Sequence, residues 1–305
     1  MKVTNSMIAK DLRLWGLFYR FFRVSVRKKY KHKRKSQDFV FPFSKSSCVY
    51  LTRLDGTKLK VRIKRNKCDS KTGLLWIHGG GYVRGSSLMI YLSMARQLFS
   101  GATIIAPDYR LAPTYPYPCA LEDCYLTLQW MVENAQFLQI DPDQIFVGGE
   151  SAGGGLSVAL CLLARDRKEY AIACQLPIYP MMSQKRTLSM KDNNAPVWNE
   201  KQTIAAWDCY LDGVNNITKY AVPALETNYQ DLPPAILFVG SLDPFCDETK
   251  EYVEQLRKAH IEVFFKEYPG CFHAFDMMVP FSKEAKDAKE FVKHCFSYAR
   301  KYYNK

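Results

Sequence analysis

Residues 148–155 read GGESAGGG and directly follow the apolar run QIFV, residues 144–147. A chain that closes a strand-like run with glycines and one hydroxyl must turn sharply there. The stretch that follows, LSVALCLLARDR, has the length and composition of a buried helix. Gly149-Glu150-Ser151-Ala152-Gly153 therefore lies between a strand and a helix, the setting of a nucleophile elbow. Such a turn puts Ser151 in a strained backbone conformation, and a glycine two residues to either side lets strand and helix approach closely. The positive end of the helix then faces the hydroxyl. Taken alone, the pattern also fits a phosphate cradle or plain tight packing, although no Lys-Ser/Thr pair follows as in a Walker loop.

A second motif narrows the reading. Residues 74–85, LLWIHGGGYVRG, place three glycines at the end of an earlier strand. Attack on a carbonyl puts charge on its oxygen, and preorganised backbone N–H donors stabilise that charge. Gly80 and Gly81, with Gly79, are the expected donors, joined by the N–H of Ala152 just after the serine. His78 is expected to hold this loop by hydrogen bonds. Ser151 also needs a base, and the base needs an orienting carboxylate. Of the five histidines, His32 lies in a basic run, His78 in the glycine loop, His260 at a helix end and His294 in an amphipathic helix. His273, in YPGCFHAF (268–275), follows the last strand in a glycine-containing loop and is the expected base. Asp243, first polar residue but one after the strand AILFVG, is the expected acid, and Asp247 reads as a first-turn helix charge.

The surrounding texture is that of an α/β domain. Apolar runs GLLWIHG, ATIIAPDY, QIFVGGE, IACQLPIYP, AILFVGSLD and EVFFKEY alternate with helix-length segments, which argues for a mostly parallel sheet covered on both faces. One expected helix is LMIYLSMARQLFS, residues 88–100. Asp55-Gly56 between two alternating runs signals a hairpin before this series. Residues 181–232 exceed one crossover helix and contain APVWNEKQTIAAWDCYLDG, which reads as a helical cap insertion. The expected division is an N-terminal cap segment over 1–45, core over 46–180, the insertion over 181–232, and core again over 233–305.

HGGGY, PDYRLAPTYPYPCALED, GGESAGGGL, SLDPFCDE and PGCFHAF stand in this order over about residues 74 to 276. In these stretches the chain resembles the α/β-hydrolase fold, specifically the hormone-sensitive-lipase-like carboxylesterases (bacterial family IV). It departs from that pattern with Glu150 where Asp is commoner and Thr114 where an acid is usual. The resemblance implies a carboxylic ester hydrolase acting on short- to medium-chain esters through an acyl-enzyme. It implies a Ser151–Asp243–His273 triad, a cap built from the N-terminus and an insertion, and no cofactor or metal. Trp198, Trp207 and Tyr210 read as cap core, and with Tyr82 they are the candidates for touching substrate. Amide hydrolysis or deacetylation by the same groups, and a non-catalytic ligand receptor on this fold, are the alternatives.

Charge distribution limits the partners. The formal net charge is +13 over 305 residues, but residues 1–35 carry twelve Lys/Arg and one acid, leaving 31 basic against 29 acidic residues elsewhere. The body is nearly neutral, which argues against a nucleic-acid-binding domain. The run RKKYKHKRK, residues 27–35, is either a solvated charge run or a contact for an anionic membrane surface. Ten cysteines without CxxC pairs or metal-ligand spacing read as reduced thiols of a cytoplasmic protein. DLRLWGLFYRFFRVSVRKK is too interrupted by arginine for a signal peptide or membrane span and reads as an amphipathic helix docked on the body. Oligomeric state, monomer or homodimer, is left open.

Overall fold

A computed structural model describes residues 1–21, 47–66 and 70–304, so the basic run 27–35 and most of the expected segment 1–45 lie outside the described residues. Strands β1 (Ser47–Thr52) and β2 (Lys58–Lys64) pair antiparallel across Asp55-Gly56. Asp55 Oδ1 accepts from the Thr57 amide at 2.9 Å, and Gly56 takes φ +80°. This is the local chemistry of an aspartate-glycine turn.

Strands β3 (Gly73–Ile77), β4 (Thr103–Pro107), β5 (Ile145–Glu150), β6 (Cys174–Ile178), β7 (Ala235–Gly240) and β8 (Val263–Tyr268) run parallel, and β2 joins them antiparallel to β4. The sheet order is β1-β2-β4-β3-β5-β6-β7-β8. The chain leaves β3 to one side for β4 and returns on its other side as β5. The ends of β3 and β5 are therefore neighbours, with Trp76 opposite Gly148 and Ile77 opposite Gly149. Loops leaving such a switch point diverge and open a crevice at the strand ends.

Side chains alternate between two cores. Leu75, Ile77 and Val147 face one, with helices α2 (Cys119–Glu133), α4 (Ala152–Arg167) and α6 (Cys246–Lys258). Leu74, Trp76 and Phe146 face the other, with α8 (Lys283–Tyr302). Two four-residue helices, α3 (Ala135–Leu138) and α7 (Phe275–Met278), close loops.

Two expectations are corrected. The helix expected over 88–100 is two short 3₁₀ turns, Ser87–Tyr91 and Met94–Leu98. In a continuous helix the Met94 N–H would donate to residue 90; here it donates to buried Glu150 Oε1 at 2.8 Å. The Ser93 hydroxyl also accepts from the Ala95 amide. The insertion between β6 and β7 is less helical than expected. Its α-helix is α5 (Glu200–Tyr210), 11 residues capped by Asn199, whose side chain accepts from Gln202. Its KDNNAP and DGVNN stretches are turn-forming, and beyond α5 the insertion holds one 3₁₀ turn, Pro223–Leu225, in otherwise irregular backbone.

The N-terminal arm lies across this insertion and the loop after β8. The Met1 amino group donates to the Leu188 carbonyl, and the Val3 amide to Asn194 Oδ1 at 2.6 Å. The Ala9 amide donates to Gly270 at 2.9 Å. Helix α1 (Arg13–Phe21) follows, and Tyr19 donates its hydroxyl hydrogen to the Met278 carbonyl at 3.1 Å.

Candidate active site

Ser151 caps the N-terminus of α4 with φ 57° and ψ −120°. A non-glycine residue there carries strain of about 1–3 kcal/mol, held by the surrounding bonds. Its amide donates to the Ile178 carbonyl at 3.0 Å, and its carbonyl accepts from Gly155 and Met181. Gly153 cannot be anything larger, since a Cβ would stand 2.0 Å from the Ile77 carbonyl oxygen of β3.

The loops after β5, β7 and β8 bring three sequence-predicted side chains together. His273 Nε2 lies 2.9 Å from Ser151 Oγ, and His273 Nδ1 lies 2.7 Å from Asp243 Oδ2. An ionised Asp243 can only accept, so the Nδ1–H donates to it and leaves Nε2 to accept the serine proton. The second Asp243 oxygen accepts from the Phe245 amide at 2.9 Å. Asp243 is fully buried, and its neighbours Ser151 and His273 are nearly so. The imidazole is held edge-on between Tyr179 and Phe245, with ring centroids 5.0 and 5.1 Å away. Asp247, half-buried, instead accepts from the Ser189 amide at 2.6 Å.

The glycine loop stands beside the serine. A Cβ on Gly79 would lie 3.3 Å from that of Ser151. Gly80 and Gly81 have φ of +122° and +62°. Among the described residues the amides of Gly80, Gly81 and Ala152 have no acceptor. Unpaired backbone donors in a loop against the serine, and in the residue just after it, are the kind of group a developing oxyanion needs. His78 Nδ1 donates to the Gly79 carbonyl at 2.8 Å, its ring stacks on Tyr109 at 4.2 Å, and burial pushes its pKa down. It therefore stays neutral and braces the loop. The Tyr109 hydroxyl donates to the His78 carbonyl, Asp108 accepts from Ser87, and Arg110 pairs with Asp123.

The four candidates for substrate contact divide. Tyr82 is buried, donates its hydroxyl hydrogen to the Met181 carbonyl at 2.8 Å and stacks on Tyr210 at 4.0 Å. Trp207 packs against both rings. Trp198 reaches the site itself: a Cβ on Gly81 would stand 2.5 Å from its ring, and its centroid is 6.2 Å from that of His273.

The sequence marked Glu150 only as a departure from the family pattern, and its surroundings were not legible there. Glu150 is buried beside Ser151, accepting from Trp76 Nε1 at 2.9 Å and from the Met94 amide. Burial, reinforced by the Asp276 carboxylate, pushes its pKa up to about 8. Burial also raises Asp276, to about 6. Asp276 follows His273 by three residues, and in sequence it looks like any acid in a helix's first turn.

A family model described as the alpha/beta hydrolase fold matches residues 74–277. Esterase LipI of Mycobacterium tuberculosis is 35% identical over 197 residues, and the alignment covers 62% of this chain and 61% of that protein. The chain thus spans under two thirds of that relative's length. An ethyl acetate hydrolase of Pseudomonas putida is 32% identical, with 79% of each chain covered. The solved structure of esterase LipW from Mycobacterium marinum superposes with a TM-score of 0.79 at 27% identity, covering 83% of this chain and 81% of that one.

Proposed function

For a chain that belongs to the alpha/beta hydrolase fold family, we propose the activity of a serine carboxylesterase acting on short- to medium-chain esters. The observation that carries the reading is the relay from Asp243 through His273 to Ser151, at 2.7 and 2.9 Å. Ester rather than another acyl substrate is supported by relatives that are esterases and an ethyl acetate hydrolase.

In this mechanism Ser151 Oγ attacks the ester carbonyl carbon while His273 Nε2 takes the hydroxyl proton. The carbonyl oxygen gains the negative charge and rests on the amides of Gly80, Gly81 and Ala152. The imidazolium, steadied by Asp243, returns the proton to the leaving alcohol as the C–O bond breaks, and an acyl-enzyme remains. Water deprotonated by His273 attacks the acyl-enzyme, and collapse releases the acid and restores Ser151. The steps use groups of this chain and water, and no cofactor or metal is assigned.

Residues 181–232, with the N-terminal arm, act as the cap over a core made of 46–180 and 233–305. Trp198 is the cap residue assigned to touch substrate, while Tyr82, Trp207 and Tyr210 pack on one another in the buried core. The partner is a small-molecule ester; no nucleic acid is assigned, and the basic N-terminus adds a contact with an anionic membrane surface. No described helix is long and apolar enough to cross a membrane, and a cytoplasmic location is part of the proposal.

The test is a p-nitrophenyl ester series from acetate to decanoate with wild type and Ser151→Ala. Wild type should turn over the shorter esters best, and the variant should lose on the order of a millionfold in kcat. Turnover by Ser151→Ala within tenfold of wild type would overturn the mechanism.

A further inference from the structure

Helix α1 has apolar residues on both sides. Its inner side meets the body: Trp15 packs on Phe281 at 5.3 Å, and a Cβ on Gly16 would touch Ile8, Pro196 and Phe272. Its outer side is a second apolar ridge. Leu14 is 74% exposed, Leu17 41% and Phe18 48%, at positions i, i+3 and i+4 of one helix face. Phe281, 53% exposed, adjoins the ridge through half-buried Trp15, whose ring centroid lies 5.3 Å from that of Phe281 and 6.2 Å from that of Phe18. Isolated exposed apolar residues are ordinary, but a contiguous helical ridge marks an interaction surface.

The chain's charge says what kind. Lys10, Arg13 and Arg20 belong to the arm itself. The sequence continuing over 22–35 carries eight Lys/Arg and no acid. An apolar ridge on a helix with adjoining cationic sequence is the pattern of a helix lying in the plane of an anionic lipid surface. We propose that Leu14, Leu17, Phe18 and Phe281 form a docking face for an anionic lipid bilayer. The inner side of the same arm holds the Gly270 carbonyl, three residues before His273. Docking there would place the cap side of the candidate active site at the membrane, where esters with apolar acyl chains partition. This inference deepens the membrane contact proposed above and does not depend on the esterase reading.

The experiment is co-sedimentation of the full chain with large vesicles of phosphatidylcholine alone, or with 30% phosphatidylglycerol, at about 50 mM and 500 mM salt. Hydrolysis of p-nitrophenyl acetate is measured in parallel. Wild type should bind the anionic vesicles at low salt at least tenfold better than the neutral ones, and less at high salt. The triple variant Leu14→Ser, Leu17→Ser, Phe18→Ser should lose at least tenfold of that binding, with a melting temperature within about two degrees of wild type. Phe281→Ser should lose a smaller share.

Absence of binding by wild type at low salt overturns the proposal. So does a folded triple variant that binds as wild type does, which would show charge alone at work. A concentration-dependent dimer of wild type that the triple variant abolishes, without vesicle binding, would assign the ridge to a second copy and also overturn it. Vesicle binding without ester turnover would sink the esterase reading alone, and turnover without binding would sink this one alone.

Discussion

Asp243 Oδ2 stands 2.7 Å from His273 Nδ1, while Asp247, four residues on, turns its carboxylate to the Ser189 amide. The difference comes from the chain. Asp243 follows β7 closely, and its backbone amide donates to the Gly240 carbonyl at 3.0 Å. A rigid strand thus sets its position. Asp247 lies in the first turn of α6, where a carboxylate suits the helix dipole. Asp243→Asn should therefore lose roughly four powers of ten in kcat, the cost of a mis-set imidazole tautomer. Asp247→Asn should mainly lower the melting temperature by a few degrees. Steady-state kinetics and thermal melts of the two purified variants decide, and exchanged phenotypes would make Asp247 the acid.

Gly81 combines two demands that no larger residue meets. Its φ is +62°, and Trp198 fills the space where a Cβ would go, 2.5 Å away. Gly81→Ala should turn the loop so that its amide no longer points at the oxyanion. The expected loss is about a hundredfold in kcat with KM changed much less, since the donor acts mainly in the transition state. Adding Trp198→Ala relieves the clash but not the backbone strain, so the double variant should recover only part of the loss. A single variant within threefold of wild type would remove Gly81 from the oxyanion site.

The meeting of Ser151, His273 and Asp243 was legible in the sequence. Ser151, Asp243 and His273 each follow a strand, in the chain order such a relay uses, and the parallel sheet gathers strand ends at one edge. What could not be read was where a single buried polar group redirects the backbone. Residues 88–100 have helical composition, yet Glu150, distant in sequence, captures the Met94 amide and breaks them into two turns. The N-terminal arm shows the same limit. Its amphipathic pattern was plain, but Leu12 is fully buried and Leu14 largely exposed. Which apolar side meets the body depends on Phe272, Pro196 and Phe281, brought there by the fold.

Glu150 gives the protein a predictable pH dependence. Its carboxyl accepts from Trp76 and Met94, with the Ser93 hydroxyl also against it; burial raises it, and the Asp276 carboxylate is the acidic neighbour that raises it further. With a pKa raised from 4.5 to about 8, the folded state holds this proton where the unfolded state has released it. Its contribution is therefore complete below about pH 4.5 and declines as pH rises to about 8, a change on the order of a few kcal/mol. Asp276, raised to about 6, adds a smaller change of the same sign at lower pH. Glu150→Gln cannot titrate, and its amide NH2 must face one of the two N–H donors, which destabilises it at every pH. The melting temperature of Glu150→Gln should thus lie well below wild type at pH 5, and the gap should narrow steadily toward pH 8.5. Thermal melts of both proteins at half-unit intervals measure it. A gap that stays constant over this range would show that Glu150 carries the same charge throughout, contrary to its burial against Asp276.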